Sequence, residues 1–286
     1  MSDDGRHALS LIAFIGSVFS PYYAAARRRG AADPRNHVAF NVALYGDGVR
    51  RWTMTERRAG DLAQGPTTLR IGPSSLQWED GALVVHLDEV AVPLPRRVRG
   101  CIRLVPHVQA LPLQALDPAS RHCWQAIAPR ARVCVDLQAP GLRWSGDGYL
   151  DANWGCEPLE RAFSAWEWSR TALPDGGTVL RYDTRWRDGR TRSLNLHVHA
   201  DGRQEACPGV VPVALARSRW GIARSAPPGS RVLRTLEDGP FYTRSQLEIP
   251  CHGGMATTMH ESLSLDRFAS RWVQAMLPFR MPRRLS

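Results

Sequence analysis

The chain has 286 residues, a hydrophobic content of 43% and a formal net charge of +10 at pH 7. This hydrophobic share is enough for one large domain or two small ones, and the charged share of 22% argues against wholesale disorder. The 37 Lys and Arg residues are all Arg, which reflects either genome base composition or, if it is selected, contact with anionic lipid head groups or nucleic acid. No block interleaves aromatic and basic residues as a nucleic-acid reader would, so we expect no nucleic-acid partner.

The first 35 residues form a predicted N-terminal segment. Residues 8–26 carry no charge and are followed by three arginines at 27–29. Their number approaches the roughly 20 residues needed to cross a bilayer. Three interpretations are open: an apolar segment packed on the protein, an interfacial anchor, and a spanning helix. The arginines and Tyr22-Tyr23 suit a head-group boundary, so we expect packing at the membrane surface or the mouth of a site. Cover for the protein's own core is the alternative.

From Asn36 onward, short strands alternate with turns. Asp80-Gly81 lies between two strand-like runs and predicts a hairpin, and Gly46-Asp47-Gly48 predicts a turn. Seven prolines between residues 93 and 140 exclude long helices there. Strands are predicted over 38–45, 51–56, 75–79, 82–87, 132–137, 142–144, 163–171, 178–186, 193–200, 232–236, 242–248 and near 257–265. Such a pattern indicates sheets that close or stack, followed by a short helix within 266–277.

The cysteines and histidines do not indicate a metal centre. The six cysteines are irregularly spaced and form no Cys-x-x-Cys pair, so a zinc site is unsupported and free buried thiols are expected. His197 and His199 share a face of one predicted strand. No third ligand is apparent, and we expect structural or surface roles for this pair. The sequence also has no P-loop, dinucleotide fingerprint or nucleophile elbow.

The chemically densest stretch is Gly-Tyr-Leu-Asp-Ala-Asn-Trp-Gly-Cys-Glu-Pro-Leu-Glu at residues 148–160. Tyr149 and Asp151 are two apart, so they share a face of an extended strand. A carboxylate beside aromatic rings suits proton delivery to an apolar substrate, since the ring faces can stabilise the resulting cation. The alternative is a strand that enters a turn, with Asp151 and Asn153 bonding backbone amides.

This run resembles the signature of the carotenoid 1,2-hydratases, also called hydroxyneurosporene synthases, of photosynthetic bacteria. Further blocks similar to that family occur in the same order at 10–23, 37–46, 51–57 and 165–170. The resemblance implies a hydro-lyase of carotenoid biosynthesis, in the spheroidene and spirilloxanthin branch. Such an enzyme hydrates the terminal C1–C2 double bond of an acyclic carotene, such as neurosporene or lycopene, to a tertiary alcohol without a cofactor.

The resemblance also implies an architecture. The expected fold is all-β, with two lipocalin-like β-barrel or half-barrel domains packed together, an N-terminal apolar segment and a short C-terminal helix. The expected regions are the segment 1–35, a domain over 36–162 that carries the signature, and a domain with the tail over 163–286. A barrel mouth or a cleft suits a long apolar ligand.

The family's functional residues match positions of this chain. The resemblance implies that Asp151 is the catalytic acid and that Tyr149, His122 and Trp124 complete the catalytic group. An apolar pocket would raise the pKa of the carboxyl and keep its proton available. His122 would either hold Asp151 in position or hold the attacking water and take its proton. The expected substrate-binding residues are Asn153, Trp154, Trp166 and Trp168.

The expected partners are the acyclic carotenoid and a membrane surface, because such polyenes are insoluble in water. We therefore expect peripheral association with the cytoplasmic side of the inner (photosynthetic) membrane. The residues indicate no particular oligomeric state. The alternative function is a non-catalytic lipocalin-like carrier of an apolar ligand, which would keep the pocket but not need Asp151.

Overall fold

The computed structural model describes residues 1–46, 48–251 and 253–284. Its strands are β1 (His7–Ile15), β2 (Val38–Gly46), β3 (Arg51–Met54), β4 (Leu62–Gln64), β5 (Thr68–Ile71), β6 (Ser74–Glu79), β7 (Ala82–Val90), β8 (Arg97–Pro106), β9 (Gln114–Ala115), β10 (His122–Ala139), β11 (Leu142–Gly155), β12 (Phe163–Ala172), β13 (Thr178–Trp186), β14 (Thr191–Val198), β15 (Gln204–Ala206), β16 (Val213–Leu215), β17 (Arg224–Ala226), β18 (Arg231–Asp238), β19 (Tyr242–Cys251) and β20 (Gly254–Ser264). Its helices are α1 (Pro21–Arg29), α2 (Leu159–Ala162), α3 (Leu265–Ala269) and α4 (Arg271–Met276), with 3-10 turns at Pro34–Asn36, Ala59–Asp61 and Leu277–Phe279.

The strands of the described residues form four sheets. Their orders are β1-β2-β3; β11-β10-β8-β7-β6-β5-β4, with β9 paired to β10; β15-β14-β13-β12-β20-β19-β18; and the pair β16-β17. Closing a barrel requires the first and last strands of a sheet to pair. Within the described ranges no sheet makes that pairing. The mainly β prediction is confirmed, whereas the closed-barrel form of it is wrong and the sheets are open.

Turn chemistry explains the predicted hairpin between β6 and β7. Asp80 and Gly81 have φ of 47° and 72°, and Glu79 pairs with Ala82 across them. Positive φ at both central positions is the requirement of a type I′ turn, which Asp-Gly meets at little steric cost. The prediction of this hairpin is therefore confirmed. For the turn predicted at 46–48, Asp47 lies outside the described residues.

The N-terminal region corrects the prediction of one apolar segment. β1 pairs antiparallel with β2 over its whole length, from His7↔Gly46 to Ile15↔Val38. A separate helix, α1, then begins at Pro21, and its N-cap Ser20 accepts a hydrogen bond from the backbone N–H of Tyr23. The segment divides because Gly16 has a φ of +72° and Pro21 suits the first turn of a helix but not a strand interior.

Part of this region covers the protein's own core, as one interpretation proposed. Leu11 and Ala13 of β1 pack against a cluster that includes Val38, Phe40 and Ile71. In the ranges that the structure describes, no helix combines the length and the hydropathy needed to cross a membrane.

Contacts divide the chain into two compact units. Unit 1 comprises 1–106, 131–148 and 274–286, and unit 2 comprises 107–130 and 149–273. The predicted boundaries near 35 and 162 remain predictions. Every residue of the site described below belongs to unit 2, whose seven-stranded sheet runs from β15 to β18. The tail forms two short helices, α3 and α4, over 265–276, where one short helix was predicted within 266–277.

Candidate active site

Two adjacent strands bring the central group together. β10 and β11 are neighbours in their sheet, and they carry Trp124 near the start of one and Asp151 near the end of the other. The Nε1–H of Trp124 donates to Oδ2 of Asp151 at 2.8 Å. The hydroxyl of Tyr149 donates to the same oxygen at 3.0 Å. The structure thus joins three of the four predicted catalytic residues at one carboxyl oxygen.

The carboxyl of Asp151 is desolvated, although the residue as a whole is only partly buried. Burial raises the pKa of Asp151 to about 6. The hydrogen bonds from Trp124 and Tyr149 favour the ionised form and lower the pKa, but burial outweighs them. The negative charge of Glu261 adds to the increase. A carboxyl with this pKa is about half protonated at pH 6 and about one-tenth protonated at pH 7, far more than an ordinary aspartate, so a proton-donating form is present near neutral pH.

Aromatic rings surround this carboxyl. The rings of Tyr149 and Trp168 lie 5.1 Å apart, and those of Trp124 and Tyr182 lie 5.5 Å apart in an edge-to-face arrangement. Trp166 is 6.0 Å from Tyr182. Trp166 and Trp168 share a face of β12, and Tyr182 of β13 pairs with Trp168 in register. The two tryptophans predicted to bind substrate therefore lie on one face of the seven-stranded sheet, Trp168 against Tyr149 and Trp166 against Tyr182, and their role in binding stays a prediction.

Of the remaining predicted binding residues, one reaches the aromatic group and one does not. Asn153 accepts a hydrogen bond from the hydroxyl of Tyr182 at 3.1 Å. Trp154 is 48% exposed, and Asn153 next to it is exposed as well. Sequence reasoning missed Tyr182. It lies in the predicted strand 178–186, but the alternation of side chains along a strand does not say which of the two faces points to the site.

His122 is anchored away from Asp151. Its Nδ1 lies 3.1 Å from Oδ2 of Asp117, and its Nε2 lies 3.1 Å from the backbone oxygen of Glu157. Among the described residues, the hydrogen bonds to Asp151 come from Trp124 and Tyr149 instead. A Cβ at Gly155 would lie 2.7 Å from the ring of His122, which explains why glycine stands there in the signature.

Asp117 and Glu261 are two acids that sequence reasoning missed. Asp117 also accepts from the backbone N–H of His122 at 2.7 Å. Burial opposes ionisation of Asp117, but hydrogen bonds from the backbone of Arg121 and from His122 outweigh it and lower its pKa. Glu261 lies opposite Trp168 in the β12–β20 register and is paired with Arg244 at 2.7 Å. The sequence offered no signal for Glu261, because its position depends on pairing between distant strands.

A second buried carboxyl lies beside a cavity of about 290 Å³ in the same unit. Glu167, Thr171 and His260 line this cavity, whereas Asp151 does not. Oε1 of Glu167 accepts from the backbone N–H of Ser225 at 2.7 Å and from the hydroxyl of Ser262 at 3.0 Å, and Oε2 accepts from the hydroxyl of Ser225. Burial raises the pKa of Glu167 and lowers that of His260 to about 4.

Nearly the whole chain is similar to one family of known proteins. A family model described as "Carotenoid hydratase CrtC" matches residues 11–286. The acyclic carotenoid 1,2-hydratase of Thiocapsa roseopersicina is 54% identical over 99% of this chain and 71% of its own length. The enzyme of that name from Cereibacter sphaeroides is 42% identical over 96% of this chain and 98% of its own. The crystal structure of a putative AttH from Nitrosomonas europaea matches with a TM-score of 0.61, at 17% identity over 80% of each chain, which shows the fold alone.

Proposed function

The chain belongs to the carotenoid hydratase family, and on that premise we propose that it adds water across the terminal C1–C2 double bond of an acyclic carotene. It is a hydratase of carotenoid biosynthesis with a lipocalin-like fold. The proposed substrates are neurosporene, lycopene and related carotenes, and the proposed product is the tertiary alcohol, in spheroidene and spirilloxanthin biosynthesis. The observation that carries the proposal is the desolvated carboxyl of Asp151, bonded by two donors at one oxygen.

The position of the two donors determines where the acidic proton lies. Trp124 and Tyr149 both donate to Oδ2 of Asp151. A proton on Oδ2 would compete with these donors, so the neutral carboxyl carries its proton on Oδ1. The two donors then stabilise the carboxylate that remains after proton transfer. We assign Asp151 as the acid, and Trp124 and Tyr149 as the residues that orient and stabilise it.

Protonation of an isolated alkene is the difficult step, since it creates a carbocation. Transfer of the Oδ1 proton to C2 places the positive charge on C1, which bears two methyl groups. The faces of Tyr149 and Trp168, with Trp166 and Tyr182 beyond them, supply the negative quadrupole that stabilises such a cation. Each desolvated ring contributes up to about 2 kcal/mol.

Water then attacks C1 and loses a proton. The carboxylate of Asp151 takes up a proton in return, so the enzyme ends in its starting state. Asn153, whose oxygen already accepts from Tyr182, has an amide N–H₂ suited to holding the water. His122, anchored by Asp117, fixes the start of β10 and therefore the position of Trp124.

A labelling experiment tests this proposal and separates it from the carrier alternative. Lycopene or neurosporene in liposomes is incubated in deuterated water with wild type, Asp151→Asn and, as a matched buried-acid control, Glu167→Gln. We expect an alcohol with one carbon-bound deuterium next to the new alcohol carbon from wild type and the control only. Equal product from Asp151→Asn would remove Asp151 from the mechanism, and polyene binding without product from any protein would favour the carrier.

We also propose that the protein associates peripherally with the cytoplasmic face of the membrane that holds its substrate. Trp220 and Trp272 stack at 6.2 Å and are each more than 40% exposed. The guanidinium of Arg267 lies 5.8 Å from the ring centroid of Trp272. Exposed indoles beside arginine suit an anionic interface. Flotation with anionic vesicles should fall in a Trp220→Ala, Trp272→Ala double variant, and unchanged flotation would exclude this surface.

A further inference from the structure

Folding supplies the third partner that the His197-Val198-His199 motif lacks in the sequence. β14 and β15 pair antiparallel, and their register places Glu205 directly opposite His197. His199 follows β14, and its backbone N–H bonds the backbone oxygen of Arg203 across the turn. The hairpin therefore brings two imidazoles and one carboxylate to the edge of the seven-stranded sheet.

The three donor atoms converge. Oε1 of Glu205 lies 3.2 Å from Nδ1 of His197 and 3.1 Å from Nε2 of His199. All three lie within 4.8 Å of one another. In the part of the chain that the structure describes, no other group of three His, Cys, Asp or Glu side chains converges in this way.

These separations suit a bound metal ion. Zinc bonds of about 2.0–2.1 Å to nitrogen and oxygen place neighbouring atoms of a tetrahedral site about 3.3–3.4 Å apart. The two N···O distances of 3.2 and 3.1 Å are close to that value, so small side-chain movements would admit an ion. Imidazole and carboxylate are also the donors that zinc and similar first-row ions prefer.

One ligand is fixed and the other two are accessible. His197 is buried, and a Cβ at Gly177 would lie 2.9 Å from its Nε2, so the ring packs closely against that backbone. His199 is partly exposed and Glu205 is exposed, which leaves a solvent side for water ligands. The simpler alternative is that Glu205 only accepts hydrogen bonds from the two rings, and the experiment below distinguishes the two cases.

We propose that His197, His199 and Glu205 bind one divalent first-row transition-metal ion of the zinc type, with water completing its coordination. The ion joins β14 to the three-residue edge strand β15 and so stabilises that edge. The proposed hydration takes place at other residues, so this site is structural and independent of Asp151.

The test uses the full chain prepared without a histidine tag and freed of metal by a chelator. Co²⁺ is titrated while its visible d–d absorption is followed, and Zn²⁺ is then added as competitor. We expect one Co²⁺ per chain, displaced by Zn²⁺, and a rise in Tm with Zn²⁺. Loss of a residue that only hydrogen-bonds a metal ligand already weakens metal binding by about 10–100-fold. Loss of a ligand itself, in His199→Ala or Glu205→Gln, should weaken metal binding at least as much.

The matched control is His86→Ala, because His86 is exposed on β7 and outside the proposed site. It should bind Co²⁺ like wild type. Glu205→Gln keeps size and hydrogen bonding, so a loss of binding with an unchanged metal-free Tm assigns the effect to the ligand rather than to folding. The proposal is overturned if wild type shows no saturable binding, or if all variants bind equally.

Discussion

Two buried carboxyls in unit 2 have pKa values raised by the same cause, yet their surroundings differ. Glu167 has donors at both oxygens, from the backbone and hydroxyl of Ser225 and from Ser262. Asp151 receives its two side-chain donors at Oδ2 alone. Rings surround Asp151, whereas serines surround Glu167.

The comparison teaches that a raised pKa does not by itself make a carboxyl an acid catalyst. Every oxygen of Glu167 already has a partner, so its carboxyl serves to tie β12 to β17 and β20. Neither side-chain donor bonds Oδ1 of Asp151, which in the proposed mechanism carries the proton that the substrate receives. The distribution of hydrogen-bond donors, rather than burial, separates the proposed catalytic carboxyl from the structural one.

The largest expected effect is the loss of hydration in Asp151→Asn. A general acid contributes about 10²–10⁴-fold, so initial rates with lycopene in liposomes should fall by that factor. Glu167→Gln should retain the rate within a few fold once its folded fraction is equalised. If the two variants lose similar activity, the distinction between the carboxyls fails.

The next effect concerns pH. Because the pKa of Asp151 is about 6, the protonated form is lost above that pH, and kcat/KM should fall about tenfold per unit on the alkaline side. Glu167→Gln should leave this midpoint in place. A flat profile between pH 5 and 8 would be the contrary result.

The free energy of unfolding should also depend on pH through Asp151, and it should decrease as the pH rises. The folded-state pKa of Asp151 lies above its ordinary value of 3.8, so the folded protein binds more protons between those values. This contribution is complete below about pH 3.8 and is lost as pH rises through about 6. Above that pH Asp151→Asn should be more stable than wild type, by at most about 3 kcal/mol, and the gain should vanish near pH 4. Urea unfolding at both pH values measures the difference.

The smallest effect comes from one hydroxyl. The hydrogen bond from Tyr149 lowers the pKa of Asp151, so Tyr149→Phe should move the alkaline midpoint of the rate upward by about one unit. Tyr182→Phe is the matched control, because its hydroxyl bonds Asn153 instead. A midpoint that moves down in Tyr149→Phe, or equally in both variants, would contradict the assigned bond.

Much of the β pattern could be predicted because it depends on local chemistry. Alternation and turn residues located β2, β6, β7, β12, β13 and β19 closely. The lengths of β10 and β11 were underestimated, since their pairing carries them past Pro129 and into the signature. The division of the N-terminal segment was missed, because hydropathy alone does not distinguish a fully paired strand followed by a separate helix from one continuous apolar segment.

The candidate site also contains features that local spacing predicts and features that depend on pairing between distant strands. Period-two spacing correctly placed Tyr149 with Asp151, and Trp166 with Trp168, on common faces. The bond from Trp124 to Asp151 requires the β10–β11 pairing, and the positions of Tyr182 and Glu261 require registers between strands far apart in the chain. Residue spacing holds no information on such registers, which is also why Glu205 escaped notice beside His197.

Carbon-13 NMR of aspartate carboxyls tests the central claim most directly. Protein labelled at the aspartate side-chain carboxyl is titrated from pH 4 to 8, and the Asp151 signal is assigned by its absence from Asp151→Asn. A midpoint near 6 is predicted for Asp151. A midpoint at or below the ordinary aspartate value would mean that the carboxyl is ionised under working conditions and cannot be the proton donor.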